Sequence, residues 1–161
     1  MSHNQRNCIL TIAIMSGLIV LIIVSIIAGI MLRELSFDVA RANPELTHLR
    51  IPVLVICYVL ISIFIVNLIL AEFLLKRILM NSIFTESSVR FLKAISYLFM
   101  LGILPLAALF IITELNVSGS ITQIYVILSA VLYLTAGLIF RLWANLIRDA
   151  SYFKQEVDMT V

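Results

Sequence analysis

Four apolar blocks, each long enough to cross a lipid bilayer, dominate this chain: residues 8–31, 51–75, 92–113 and 121–143. A helix needs roughly 20 consecutive apolar residues to span a hydrocarbon core about 30 Å thick. None of the blocks carries a charge in its central part. Of the 161 residues, 63% are hydrophobic and 12% charged, whereas a soluble domain is about a quarter charged. The segments between the blocks are too short for a separate soluble domain. The expected fold is therefore all-α, one membrane domain over residues 1–161. It is a polytopic four-transmembrane-helix bundle with a polar tail at 144–161, and its first partner is the lipid bilayer.

The placement of charge predicts how the spans are oriented. Arg6 precedes the first block, Lys76, Arg77, Arg90 and Lys93 lie between the second and third, and Arg141, Arg148 and Lys154 follow the fourth. That is eight basic residues on one side, against Arg33, Arg41 and Arg50 on the other. Basic loops stay in the cytosol because they translocate poorly. The expectation is a multi-pass plasma-membrane protein with both termini cytoplasmic. The first block is longer than a secretory core and no clear A-x-A cleavage site follows it, so it reads as an uncleaved anchor. Cys8 and Cys57 fall at different depths, which predicts two thiols and no disulfide. A net charge of +2 does not suggest direct binding to nucleic acid.

Small residues punctuate the first span. Ala13, Gly17, Ser25 and Gly29 are spaced in multiples of four, a pattern that lets helix backbones approach. The stripe fits packing within the bundle or a homo-oligomer interface. Asn43-Pro44 is a helix start signal, a cap followed by proline at the first helical position. It predicts a short interfacial helix in the loop before the second span. Asn67 and Glu72 are the costly polar residues of that span, and polar groups inside a membrane raise a functional hypothesis. Lys76, four residues beyond Glu72, predicts a structural ion pair. Pro105 predicts a kink in the third span. Arg141 is expected to snorkel to the headgroups beside Trp143.

The middle loop and the tail hold the most patterned polar sequence. Thr85 reads as an N-cap and Glu86 complements the helix dipole. Phe84 and Val89 have the spacing of a hydrophobic staple. Val89, Leu92, Lys93 and Ser96 predict a face passing from interface to lipid. After the fourth span, Leu142, Leu146, Ala150 and Phe153 keep a helical stripe, so the helix is expected to continue along the membrane surface. The final QEVDMTV breaks the stripe and reads as extended. The candidate docking residues are Phe84, Thr85, Val89, Arg90 and Lys93 in the loop, with Glu156, Asp158 and Thr160 in the tail. A well-made helix start by itself explains most of the loop residues, and a docking surface is the sharper reading.

Four stretches then carry a resemblance: NPELTHLRIPVL before the second span, IFTESSVRFLKAISY before the third, ILPL around Pro105, and the terminal EVDMTV. In that order and spacing the chain resembles the domain of unknown function 2975 family, bacterial four-span membrane proteins. It departs from the family pattern at MNSI, where a charged stretch is common, and at Met159, where leucine is usual. Members are often encoded beside a small helix-turn-helix regulator. The resemblance thus implies a cytosolic helix-turn-helix regulator, or another membrane subunit, as partner.

Two functions follow as expectations. One is a non-enzymatic regulatory or partner-binding component working with such a regulator. The alternative is a small subunit of a transport, export or peptide-immunity system. An enzyme needs a nucleophile, base or metal ligands gathered in one place. His3 and His48 are predicted on opposite sides, and no catalytic, cofactor-binding or metal-binding set is apparent.

Overall fold

The computed structural model describes residues 3–80, 83, 85–117 and 120–159, with side chains described between residues 8 and 153 of those ranges. Four long helices carry the fold: α1 (His3–Ala42), α2 (Arg50–Leu79), α3 (Glu86–Asn116) and α4 (Ile121–Met159). A six-residue 3-10 helix, Pro44–Leu49, joins α1 to α2. No strand occurs among the described residues. All four long helices are long and apolar enough to cross a membrane. At 1.5 Å per residue, the 40 residues of α1 reach about 60 Å, roughly twice the hydrocarbon thickness. Large apolar side chains stand exposed along every helix, Ile12, Val55, Leu104 and Leu132 among them. In water such a surface would drive aggregation, while in lipid it is the ordinary outer surface. The chain is a multi-pass membrane protein.

The helices pack mainly in chain order. α3 and α4 form the most extensive pair, α2 lies on α3, and α1 touches α2 and the 3-10 helix. Short connections produce this arrangement, because consecutive elements end up as neighbours. The α3–α4 hairpin is the tightest part. Along α4, Val126, Ala130, Tyr133, Gly137, Phe140 and Ala144 recur at alternating steps of four and three and are buried or half-buried. Ser88, Leu92, Ile95, Phe99, Gly102 and Leu106 do the same along α3. This 3.5-residue period keeps one seam facing a partner helix. Small and aromatic residues alternate on it. Tyr133 packs over Gly102, so close that a Cβ there would lie 2.5 Å from the ring. Phe99 meets Tyr133 edge-on at 5.4 Å and stacks on Phe140 at 5.8 Å. The Ser96 hydroxyl donates to the Gly137 carbonyl at 2.8 Å.

Several expectations change at this point. The face through Val89, Leu92 and Ser96 does not turn to lipid. Leu92 and Ser96 are 0% and 1% exposed and face protein, because the hairpin partner continues alongside them. The stripe of Leu142, Leu146, Ala150 and Phe153 is helical but exposed, and the packed stripe is Phe140, Ala144 and Ile147. The tail is not extended at 155–159, where α4 runs on to Met159. Propagating an established helix adds one bond per residue, and Gln and Glu are good formers. Likewise α1 absorbs residues 32–42 of the expected first loop, since no breaker occurs before Asn43-Pro44. The short helix after it is present with proline at its start, but the Asn43 side chain does not cap it. Its amide donates back to the Val39 carbonyl at 3.1 Å and closes α1 instead. Pro105 lies inside α3 and does not end it, as a proline that bends a helix without breaking it would.

Candidate functional site

The α2–α3 turn and the far end of α4 meet at one end of the molecule. Thr85 occupies the N-cap position of α3 with extended backbone, and its carbonyl accepts from the Ser88 and Val89 amides. Its side chain makes no capping bond. The hydroxyl instead accepts from Arg77 Nη1 at 3.1 Å and lies 3.2 Å from the Ser88 hydroxyl. Arg77 also reaches over the Phe91 ring, 5.4 Å from its centroid, and Phe91 stacks on Phe73. The turn is thus tied from α2 across to α3. Beneath it Leu74, Val89, Leu92 and Ala144 form a buried cluster with Phe140 and Ile147 against it.

On this base sits a polar cleft of about 220 Å³ between α3 and α4. Glu86, Val89, Arg90 and Lys93 line it from α3, and Arg148, Ser151 and Tyr152 from α4. Arg90 pairs with Glu86 at 3.6 Å and Arg148 with Asp149 at 3.5 Å. Both pairs are well exposed, and such pairs contribute only about 0–1 kcal/mol, so either arginine can be drawn to a better anion. Lys93 makes no ion pair among the described residues. The cleft therefore presents three cations and one carboxylate, Glu86, over the apolar side chain of Val89, a positive excess suited to an acidic partner surface.

Of the candidate docking residues, Val89, Arg90 and Lys93 converge on this cleft, and Thr85 lies at its edge as the cap. Phe84, and with it the staple, lies outside the described residues, as does Thr160. Glu156 and Asp158 are on helical backbone, with side chains outside the described set. Arg148, Ser151 and Tyr152 lie in the polar tail expected to take part in docking, but sequence reading did not single them out. The seven-residue spacing Phe140, Ala144, Ile147, Ser151 would have turned that face of α4 toward α3.

The intramembrane polar residues are scattered. Asn67 is 4% exposed, and both its side-chain polar atoms lack a hydrogen-bond partner among the described residues. Both Glu72 carboxylate oxygens are buried and also lack one among those residues. The expected Glu72–Lys76 pair is therefore absent: the carboxylate turns inward while Lys76 stays exposed. Arg141 lies over the Tyr97 ring of α3, 5.2 Å from its centroid. The small-residue stripe of α1 divides. Gly29 faces Ile61 of α2 and Ser25 is half-buried, whereas Ala13 and Gly17 are exposed, with nothing near Gly17. Both cysteines are free. No cluster of three or more His, Cys, Asp or Glu that could hold a metal occurs among the described residues.

One family profile, described as Protein of unknown function (DUF2975), matches residues 34–161. The chain belongs to the DUF2975 family. The match starts within α1 and takes in α2, α3, α4 and both lining walls of the cleft. No curated protein and no solved structure matches the chain.

Proposed function

We propose that this DUF2975 member is a non-enzymatic, partner-binding component of the plasma membrane, with both termini and the α2–α3 turn in the cytosol. The cleft between α3 and α4 is the docking surface. The observation that carries this reading is the convergence of Arg90, Lys93 and Arg148, against the single carboxylate of Glu86, with Ser151 and Tyr152 over Val89 of the buried cluster. Helix ends held by a packed seam make a more rigid platform than a loop. The family resemblance supplies the partner class, a small cytosolic helix-turn-helix regulator. The basic cleft adds that the surface it offers is acidic. The excess of basic residues around the α2–α3 turn and α4 supports the orientation.

The test is a photo-crosslinking amino acid at Tyr152 in the protein's own host, with identification of the adduct. Crosslinking to a helix-turn-helix protein, lost in a Lys93→Glu/Arg148→Glu double variant and reduced without residues 156–161, supports the reading. If no cytosolic protein is captured, or capture ignores both changes, the docking role fails. Thiol labelling of Cys8 from each side of the membrane checks the orientation, with reaction from the cytosol expected.

A second reading, a small transport or peptide-immunity subunit, is favoured by the partnerless polar atoms of Asn67 and Glu72 within α2. Flux in proteoliposomes that disappears on Asn67→Leu or Glu72→Leu would move the assignment there.

A further inference from the structure

The end of the molecule opposite the basic cleft carries a different kind of cavity. It measures about 370 Å³ and lies where the last turns of α1, the 3-10 helix, the start of α2 and the end of α3 come together. Its volume falls in the range of about 300–1,000 Å³ usual for small-ligand sites. The walls are mainly aliphatic, with Leu35, Val53, Leu54 and Leu109 among them. It is partly open rather than sealed. His48, 3.3 Å from the Asn116 side chain, ties the 3-10 helix to the end of α3 and fixes the rim.

One cation stands in this apolar wall. Arg50 is the first residue of α2. Its Nε donates to Ser36 at 3.2 Å, and its guanidinium lies 3.3 Å from the centroid of Phe37. Acidic residues exist at the same end, but Asp38 pairs with Arg41 at 3.8 Å, and neither Glu34 nor Glu45 forms an ion pair with Arg50. A guanidinium held against an aromatic face keeps its remaining N–H groups for an anion, and its planar fork suits phosphate oxygens. From Arg50 the lining runs along α2 to Cys57, a descent of about 10 Å at 1.5 Å per residue. The charge thus sits at the end of a span, where headgroups lie, and the apolar trough leads from it toward the hydrocarbon.

We propose that this cavity binds one anionic phospholipid of the surrounding bilayer, its phosphodiester on Arg50 and part of one acyl chain in the trough. Charge complementarity and depth together select this occupant. A lipid without a phosphate would leave the guanidinium without its anion, and a zwitterionic one brings its own cation, which competes with Arg50 for the phosphodiester. An acidic peptide would leave the aliphatic walls without a partner.

Cys57 lines the trough and reports its occupancy. In a Cys8→Ser variant, purified in neutral detergent, the rate of Cys57 alkylation by a maleimide is followed while phosphatidylglycerol, phosphatidylcholine or palmitate is added. Native mass spectrometry counts the lipid retained. Phosphatidylglycerol is expected to slow alkylation and to be retained as one copy, with little effect of phosphatidylcholine. Losing a charge-assisted contact makes Arg50→Gln require about tenfold more phosphatidylglycerol, while Arg50→Lys falls between. Should Arg50→Gln not fold, Leu54→Trp fills the trough and leaves Arg50 in place, and the retained lipid is then expected to be lost. Equal protection by phosphatidylcholine, protection by palmitate alone, no protection at all, or indifference to Arg50→Gln and Leu54→Trp would each overturn the proposal.

Discussion

The Ser96 hydroxyl reaches across from α3 to the Gly137 carbonyl of α4 at 2.8 Å, with both residues buried. Such a contact requires the two backbones to approach closely, and glycine on α4 permits it: a Cβ at Gly137 would already lie 3.4 Å from the Ser96 carbonyl oxygen. Interhelical hydrogen bonds in membranes average only about 0.6 kcal/mol. Ser96→Ala is therefore expected to weaken the fold slightly, whereas Ser96→Leu must force the seam apart and cost several times more. Unfolding in mixed micelles titrated with dodecyl sulfate measures both. Equal midpoints for the two variants would mean that steric fit does not hold this seam.

Gly102 and Tyr133 make a second close approach on the same seam. A methyl group at Gly102 would come within 2.6 Å of two Tyr133 ring carbons. Overpacking of this kind costs about 1–3 kcal/mol, so Gly102→Ala is expected to lower the unfolding midpoint clearly. In Gly102→Ala/Tyr133→Ala the clash has no ring to meet, and the double variant should lose little beyond Tyr133→Ala alone. A coupling of about 0.5–3 kcal/mol in the double-mutant cycle is expected, and additive losses would contradict the packing described.

Which parts of this arrangement were readable from sequence follows from what each signal measures. Apolar length records a requirement of the bilayer, so the four spans were legible. The start of α3 at Thr85 and Glu86 was legible in position, although the Thr85 hydroxyl does not make the capping bond that the pattern suggested. Helix faces were not. In a span nearly every residue is apolar, so the contrast between inward and outward faces disappears. That is why Leu142 and Leu146 read as the working stripe of α4 while Ala144 and Ile147 are the packed ones. The candidate cleft was half legible. Val89, Arg90 and Lys93 stood out within one loop, but Arg148, Ser151 and Tyr152 approach from 55 or more residues away. The Arg77–Thr85 bond was missed for another reason: Thr85 was assigned the local capping role that its hydroxyl does not perform.

Arg77 is expected to fix the turn between α2 and α3. Its fork donates to Thr85 and its plane faces Phe91, two interactions that a lysine ammonium does not reproduce together. Arg77→Ala, and in lesser degree Arg77→Lys, should raise the rate of limited proteolysis within residues 80–85. Lys76→Ala is the control. That side chain is exposed and makes no ion pair among the described residues, so its removal should leave the rate unchanged. An equal increase in both variants would remove the special role of Arg77.

Asn67 and Glu72 lead to the opposite expectation, that substitution leaves the fold as stable or makes it more so. A buried polar group without a partner costs about 1–3 kcal/mol, more when charged, and replacing it with an apolar group of similar shape removes that cost. Neither side chain has a hydrogen-bond partner among the described residues, so Asn67→Leu and Glu72→Leu should each raise the unfolding midpoint in micelles, or at least not lower it. Glu72→Gln, which keeps the polar shape, should gain less than Glu72→Leu. A marked loss of stability in Asn67→Leu would show that its amide has a partner in the assembled protein, and blue-native gels of the two leucine variants would then reveal whether that partner is a second copy. A gain in stability accompanied by loss of the host phenotype would instead mark the pair as retained for function, because a polar group kept inside a membrane at the expense of stability needs a reason beyond packing.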